Sequence, residues 1–124
     1  MSVRIDHLAL PARDADWSAR YLATLLGDVE ARPAGPDGDM CELVLDHGTT
    51  LLYMTAPEVA HGHVALRVDA DRFAHVVAEL GERGVPFGND PTDQTNGRTD
   101  DCLGSAGRVY FPDPDGHLIE IVTG

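Results

Sequence analysis

Apolar residues recur at two spacings along the chain, and the switches between them predict its elements. Residues 3–10, Val-Arg-Ile-Asp-His-Leu-Ala-Leu, alternate as a strand, with Val3, Ile5, His7 and Ala9 on one side and Leu8 and Leu10 on the other. Pro11 is expected to end it. A helical spacing follows: Trp17, Tyr21, Leu22, Leu25 and Leu26 share one face, Asp14 or Asp16 can cap the helix, and Gly27 can stop it. A short strand is expected over 28–32, then a turn over 33–38. Strands over 40–46 and 49–55 follow, joined by a hairpin turn at His47-Gly48. The first half therefore reads β-α-β-β-β.

The second half repeats this plan. Residues 63–68 alternate as a strand, and Asp69 or Asp71 can cap a helix carrying Phe73, Val76, Val77 and Leu80, which Gly84 closes. Short strands are expected over 85–87, 108–111 and 117–123. The polar stretch 88–107 is long for a loop and is a candidate lid, with Asn89 and Asn96 available for polar contacts. His7-Leu-Ala-Leu aligns with His63-Val-Ala-Leu, and residues 48–55 align with 116–123 when Gly48 is superposed on Gly116. This predicts an α+β fold of two βαβββ modules, about 1–57 and 58–124, within one domain spanning 1–124, with a helix behind each half of a curved sheet.

One position breaks the apolar run of the last strand. Leu118-Ile-Glu-Ile-Val122 places the carboxylate of Glu120 where charge is costly unless a cation meets it, and the aligned residue of the first module is Leu52. The cation can be Arg67 or Arg108, or a bound metal. His7 and His63 occupy matching strands of the two modules, so packing about a pseudo-twofold axis would bring two imidazoles and one carboxylate together as ligands of a divalent ion with open coordination positions. His61, two residues before His63, is the rival ligand, and His47, His75 and His117 are read as solvated. Tyr53 and Tyr110 are core residues that can also line a pocket, and Arg98, Arg108, Asp100 and Asp101 read as a solvated charged loop in which an arginine can bind an anion.

Charge and cysteine usage narrow the partners. Nine Arg, no Lys and 21 acidic residues give a net charge of -12, which disfavours nucleic acid and anionic membrane surfaces. No apolar run is long enough to span a bilayer, no signal-peptide region opens the chain, and Cys41 and Cys102 lack a paired spacing. The expectation is a soluble cytoplasmic protein with reduced thiols.

Ile5-Asp-His-Leu-Ala-Leu10, Gly62-His-Val-Ala-Leu66 and Val109-Tyr-Phe-Pro-Asp-Pro-Asp-Gly-His-Leu-Ile-Glu-Ile121 together resemble the vicinal oxygen chelate superfamily, which includes glyoxalase I, bleomycin-resistance proteins, fosfomycin-resistance enzymes and ring-cleaving dioxygenases. The resemblance spans essentially the whole chain. It implies a cup-shaped, partly open mixed sheet with helices outside, in a homodimer, around one divalent metal (Fe, Mn, Ni or Zn) held by His7, His63 and Glu120. The fourth ligand of glyoxalase I has no counterpart, since Leu52 stands at the aligned position. The expected function is a metal-dependent enzyme of the glyoxalase/dioxygenase type, a lyase, isomerase, transferase or dioxygenase, that chelates neighbouring oxygens of a small molecule and stabilises an oxyanion. The alternatives are an Fe(II) extradiol ring-cleaving dioxygenase, a fosfomycin-type resistance enzyme, or a drug-sequestering protein of the bleomycin-resistance kind. Glu42 and Tyr110 are candidate catalytic groups, and Arg98, Arg108 and Asn96 candidate substrate contacts.

Overall fold

The alternating segments pair into two open mixed sheets, and the two helical segments form one helix each. A computed structural model describes residues 1–124, divided into two compact units: Met1–Thr24 with Asp28–Ala60, and Leu25–Gly27 with His61–Gly124. The first unit carries β1 (His7–Ala12), most of α1 (Ala15–Leu26), β2 (Ala31–Ala34), β3 (Met40–Val44) and β4 (Thr50–Thr55). Its sheet has the order β1-β4-β3-β2, with β1 parallel to β4 and the other pairs antiparallel. In the second unit, β5 (His63–Val68), α2 (Ala70–Glu82), β6 (Gly107–Pro112) and β7 (Leu118–Thr123) give the order β5-β7-β6, again with one parallel pair, β5 on β7. This is an α+β fold.

The repeat read from the sequence survives as register. His7 lies opposite Thr50 and Ala9 opposite Leu52, while His63 lies opposite Leu118 and Ala65 opposite Glu120. On the other flank Glu42 faces Leu52, and Tyr110 faces Glu120. Gly48 and Gly116 both adopt positive φ, at 78° and 88°, at the entry to β4 and β7. Register places every side chain of a strand on a face, so matching register is what makes Leu52 and Glu120 equivalent sites.

Several boundaries differ from the sequence reading, each for a local reason. β1 runs through Pro11 to Ala12, because β1 is an edge strand of its sheet and proline's missing N–H is tolerated there. β2 begins at Ala31 rather than 28, after Gly27 and Asp28 turn the chain with φ of 79° and 53°. The His47-Gly48 hairpin is a short 3₁₀ turn over Asp46–Gly48 with His47 at φ 60°. No strand forms at 85–87; only Gly88 bridges to Tyr110, so the second unit has three strands where the first has four.

The helix ends follow the expected chemistry. Asp14 Oδ1 accepts from the Trp17 amide at 3.2 Å, and Asp69 Oδ1 accepts from the Arg72 amide at 2.7 Å, each satisfying an amide with no intrahelical partner. The Arg72 guanidinium also donates to the carbonyls of Leu26 and Gly27, supplying the cation that a helix C-terminus favours. On α1 the buried face is Ala15, Ser18, Ala19, Leu22, Ala23, Leu25 and Leu26, whereas Trp17 is exposed. On α2 it is Val76 and Leu80. The sheets bury Leu43, Leu51 and Tyr53 in the first unit and Val109, Phe111, Ile119 and Ile121 in the second. Cys41 is buried and Cys102 exposed, both as free thiols; burial raises the Cys41 pKa.

Candidate functional site

The second unit brings His63, Arg108, Tyr110 and Glu120 together on the parallel pair and the strand beside it. Glu120, in the middle of β7, is buried. Its Oε1 lies 2.9 Å from His63 Nε2, and the Arg108 guanidinium donates through one terminal nitrogen to Oε2. His63 stands at the start of β5 with half of its side-chain surface open to solvent, so the buried carboxylate reaches an accessible imidazole. The Tyr110 ring, directly opposite Glu120 on β6, lies 6.2 Å from the His63 ring. Burial, then the neighbouring Glu120 charge, raises the Tyr110 pKa, so the phenol keeps its proton at neutral pH.

Arg108 is itself held. Its Nε donates to Asp101 Oδ1 at 3.0 Å and a terminal nitrogen donates to Asp101 Oδ2 at 3.2 Å, the two-point grip of a planar guanidinium on a carboxylate. Asp101 also accepts from the amides of Leu103 and Ser105 and from the Ser105 hydroxyl. Arg108 first, then Ser105, holds the Asp101 carboxyl well below the ordinary range, and Asp101 in turn raises Arg108. Of the two arginines weighed as partners of Glu120, Arg108 takes that place, while Arg67 donates to the Gly124 carbonyl. Reading Arg108 and Asp101 as a solvated pair missed the fold of the 88–107 loop, which turns Asp101 inward until its side chain has no exposed surface.

The remaining predicted residues are spread. His7, on β1 of the first unit, is exposed with Nδ1 2.8 Å from Asp6 Oδ2. Glu42 accepts from Arg32 Nε at 2.7 Å on β3. Arg98 is exposed beside Asp100, with 3.5 Å between Nε and Oδ1. Asn96 is used inside the loop: its Nδ2 donates to Asn89 Oδ1 at 2.8 Å, and its Oδ1 accepts from the Arg98 amide at 2.8 Å. Asn89 Nδ2 donates to the Asp100 carbonyl at 2.7 Å, so the two asparagines shape the loop.

The turn before β7 holds residues the sequence reading left aside. Asp113, Asp115 and His117 are buried, and their ligand atoms all lie within 4.8 Å of one another, a group that could hold a metal ion. The expectation of a solvated His117 is therefore corrected. The chain folds back so that the Gly62 amide donates to His117 Nδ1 at 2.8 Å, which covers the ring. An amide can only donate, so Nδ1 accepts and the neutral ring carries its proton on Nε2. Asp113 Oδ1 accepts from the amides of Asp115 and His117, both at 2.9 Å, whereas its buried Oδ2 has no hydrogen-bond partner. Burial raises the Asp113 pKa. The signal was in the sequence: two acids and a histidine alternating around prolines and a glycine, where an Asx turn is expected.

The model of the Glyoxalase/Bleomycin resistance protein/Dioxygenase superfamily matches residues 4–121. Among solved structures, the chain is similar to Oxidase ChaP-H1, with 32% identity and a TM-score of 0.89 over 99% of this chain and 97% of that one. It is similar to Oxidase ChaP-H2, with 31% identity and a TM-score of 0.88 over 100% of this chain and 95% of that one. A glyoxalase/dioxygenase from Nostoc punctiforme shares the fold at 24% identity and a TM-score of 0.71, over 97% of this chain and 90% of that one. No curated protein matches.

Proposed function

The chain belongs to the Glyoxalase/Bleomycin resistance protein/Dioxygenase superfamily, and on that premise we propose that it is a divalent-metal enzyme acting on a small organic molecule, with His7, His63 and Glu120 as the metal ligands. One observation carries the reading: a buried carboxylate oxygen faces an accessible imidazole nitrogen across 2.9 Å. An imidazole nitrogen and a carboxylate oxygen this close are donors of the kind that share one divalent ion, and the reading adds His7 as the third. The Asp113, Asp115 and His117 group fits less well, since His117 Nδ1 is engaged by the Gly62 amide and Nε2 carries the proton.

A metal there supplies Lewis acidity to two neighbouring substrate oxygens and, as iron, redox contact with dioxygen. Similarity above 30% to two proteins named as oxidases favours the redox form over a purely Lewis-acid one. The chain's own groups do the rest. In this reading Tyr110, opposite Glu120, donates its phenol hydrogen to a substrate oxygen, and the exposed Arg98, beside Asp100, meets an anionic substituent. The Glu42 carboxylate is occupied by Arg32, which weighs against its use as a base. A homodimer belongs to the same reading.

The test is metal content, with oxygen uptake on catechol-like substrates, for wild type, H7A, H63A and E120A. Stoichiometric Fe, Mn, Ni or Zn in the wild type, lost in all three variants, supports the ligand set. Wild-type protein that stays metal-free when offered these ions overturns it. Metal binding without oxygen uptake, combined with turnover of a hemithioacetal or epoxide, returns the reaction to Lewis-acid chemistry.

A further inference from the structure

We propose that Arg108 is a positioning residue that makes Glu120 ligate a metal through one oxygen: the guanidinium occupies Oε2, leaving Oε1 beside His63, and Asp101 locks the guanidinium in place. The inference rests on the reading of His63 and Glu120 as ligands and adds how the carboxylate is presented.

Three observations carry it. The first is the division of the carboxylate, with Arg108 on Oε2 and His63 on Oε1. An oxygen engaged by a guanidinium is a weaker donor to a second cation, so a metal meets Oε1 alone. The second is the grip on Arg108 itself. Its Nε and a terminal nitrogen are spent on the two oxygens of Asp101, at 3.0 and 3.2 Å, and a different terminal nitrogen reaches Glu120. A planar fork fixed at one end delivers its remaining donor in a set direction, which a lysine cannot reproduce. Asp101 is fixed by Leu103 and Ser105, so the loop residues carry the alignment to the strand.

The third observation is internal. Arg108 and Glu120 are diagonal neighbours across β6 and β7, since Tyr110 is directly opposite Glu120 and Arg108 opposite Val122. In the first unit the corresponding diagonal pair is Met40 and Leu52, because Glu42 is opposite Leu52 and Met40 opposite Met54. The unit without the acid has no guanidinium at the matching place. Arg108 therefore accompanies Glu120 and is not a requirement of the sheet.

The experiment titrates full-length, chelator-stripped protein with Mn(II) and Co(II), following affinity and the visible Co(II) spectrum, which responds to the coordination mode. Wild type is compared with R108M, R108K, D101N and E120A. The expected result is about 10–100-fold weaker binding for R108M, as for other residues that orient ligands, with a changed Co(II) spectrum as Oε2 joins the coordination. R108K, which keeps the charge but not the fork, also weakens binding and changes the spectrum, and D101N shifts both in the same direction by less. R108K indistinguishable from wild type overturns the proposal in favour of simple charge balance; because it preserves the charge, it is informative even if R108M does not fold. R108M equal to wild type while E120A abolishes binding overturns the proposal and leaves the ligand reading intact. E120A binding as tightly as wild type overturns the ligand reading, and the proposal with it.

Discussion

At matching register positions the first unit holds Leu52 beside Met40, and the second holds Glu120 beside Arg108. The strand partners, the parallel pairing and the positive-φ glycine at the strand entry are common to both. The scaffold thus accommodates either an apolar pair or a charged pair on the same lattice. A buried carboxylate alone would be strongly unfavourable there, and the second unit avoids that by supplying guanidinium and acid together. At this position the first unit keeps an apolar pair, and the second holds an acid anchored by a guanidinium.

The comparison can be broken by exchanging the pairs. E120L is expected to abolish stoichiometric metal binding, read by elemental analysis. It should also lower stability by about 1–3 kcal/mol in urea unfolding, because Arg108 loses a charged acceptor. The double variant E120L/R108M, which copies the first unit, should regain most of that stability without regaining metal. A double-mutant cycle measures the coupling. A double variant no more stable than E120L would mean that the two residues act independently.

A smaller effect separates the equivalent glycines. Both G48A and G116A force alanine into positive φ, a strain of about 1–2 kcal/mol. A Cβ at Gly116 would also come within 2.7 Å of His61 Nε2, whereas one at Gly48 meets nothing within 4 Å. G116A should therefore lower the melting temperature more than G48A; equal losses would show that His61 swings away freely.

The smallest effect concerns pH. Burial raises the Asp113 carboxyl in the folded state, so its contribution is most favourable below the unfolded pKa and is lost as pH rises through the folded value. D113N keeps an oxygen for the two backbone amides and cannot ionise. Melting curves of wild type and D113N between pH 4 and pH 7 should show the wild type losing stability relative to the variant as pH rises. Asp101 has the opposite sign: its depressed carboxyl stabilises the fold above the ordinary carboxylate range and loses that role only in stronger acid. D101N should therefore reduce stability at neutral pH and leave the acid limb less steep.

What the sequence revealed depended on how local each signal was. The period of α2 and the cap at Asp69 are written within a few residues, and the structure has both. The equivalence of Leu52 and Glu120 came from aligning two short strands on their glycines, and the register agrees. The charge anomaly at Glu120 called for a cation, and Arg108 was one of two arginines able to serve. Local propensity could not show that the 88–107 loop would turn Asp101 inward, because that depends on where Arg108 lands after the strand forms. Nor could it show His117 being covered by the Gly62 amide, a contact made only once β5 and the last turn are side by side. Asn89 and Asn96 looked free for a ligand because a polar loop gives no sign of which side chains satisfy one another.

The two thiols of the fold differ in a way that makes the loop observable. Cys41 is buried and its pKa is raised, while Cys102 is exposed one residue after Asp101. Thiol-reactive dyes attack the accessible thiolate, so the unaltered protein should label once, at Cys102. A fluorophore attached there rides on the segment that grips Arg108, and its emission becomes a direct optical report on that segment as ions or small molecules are added.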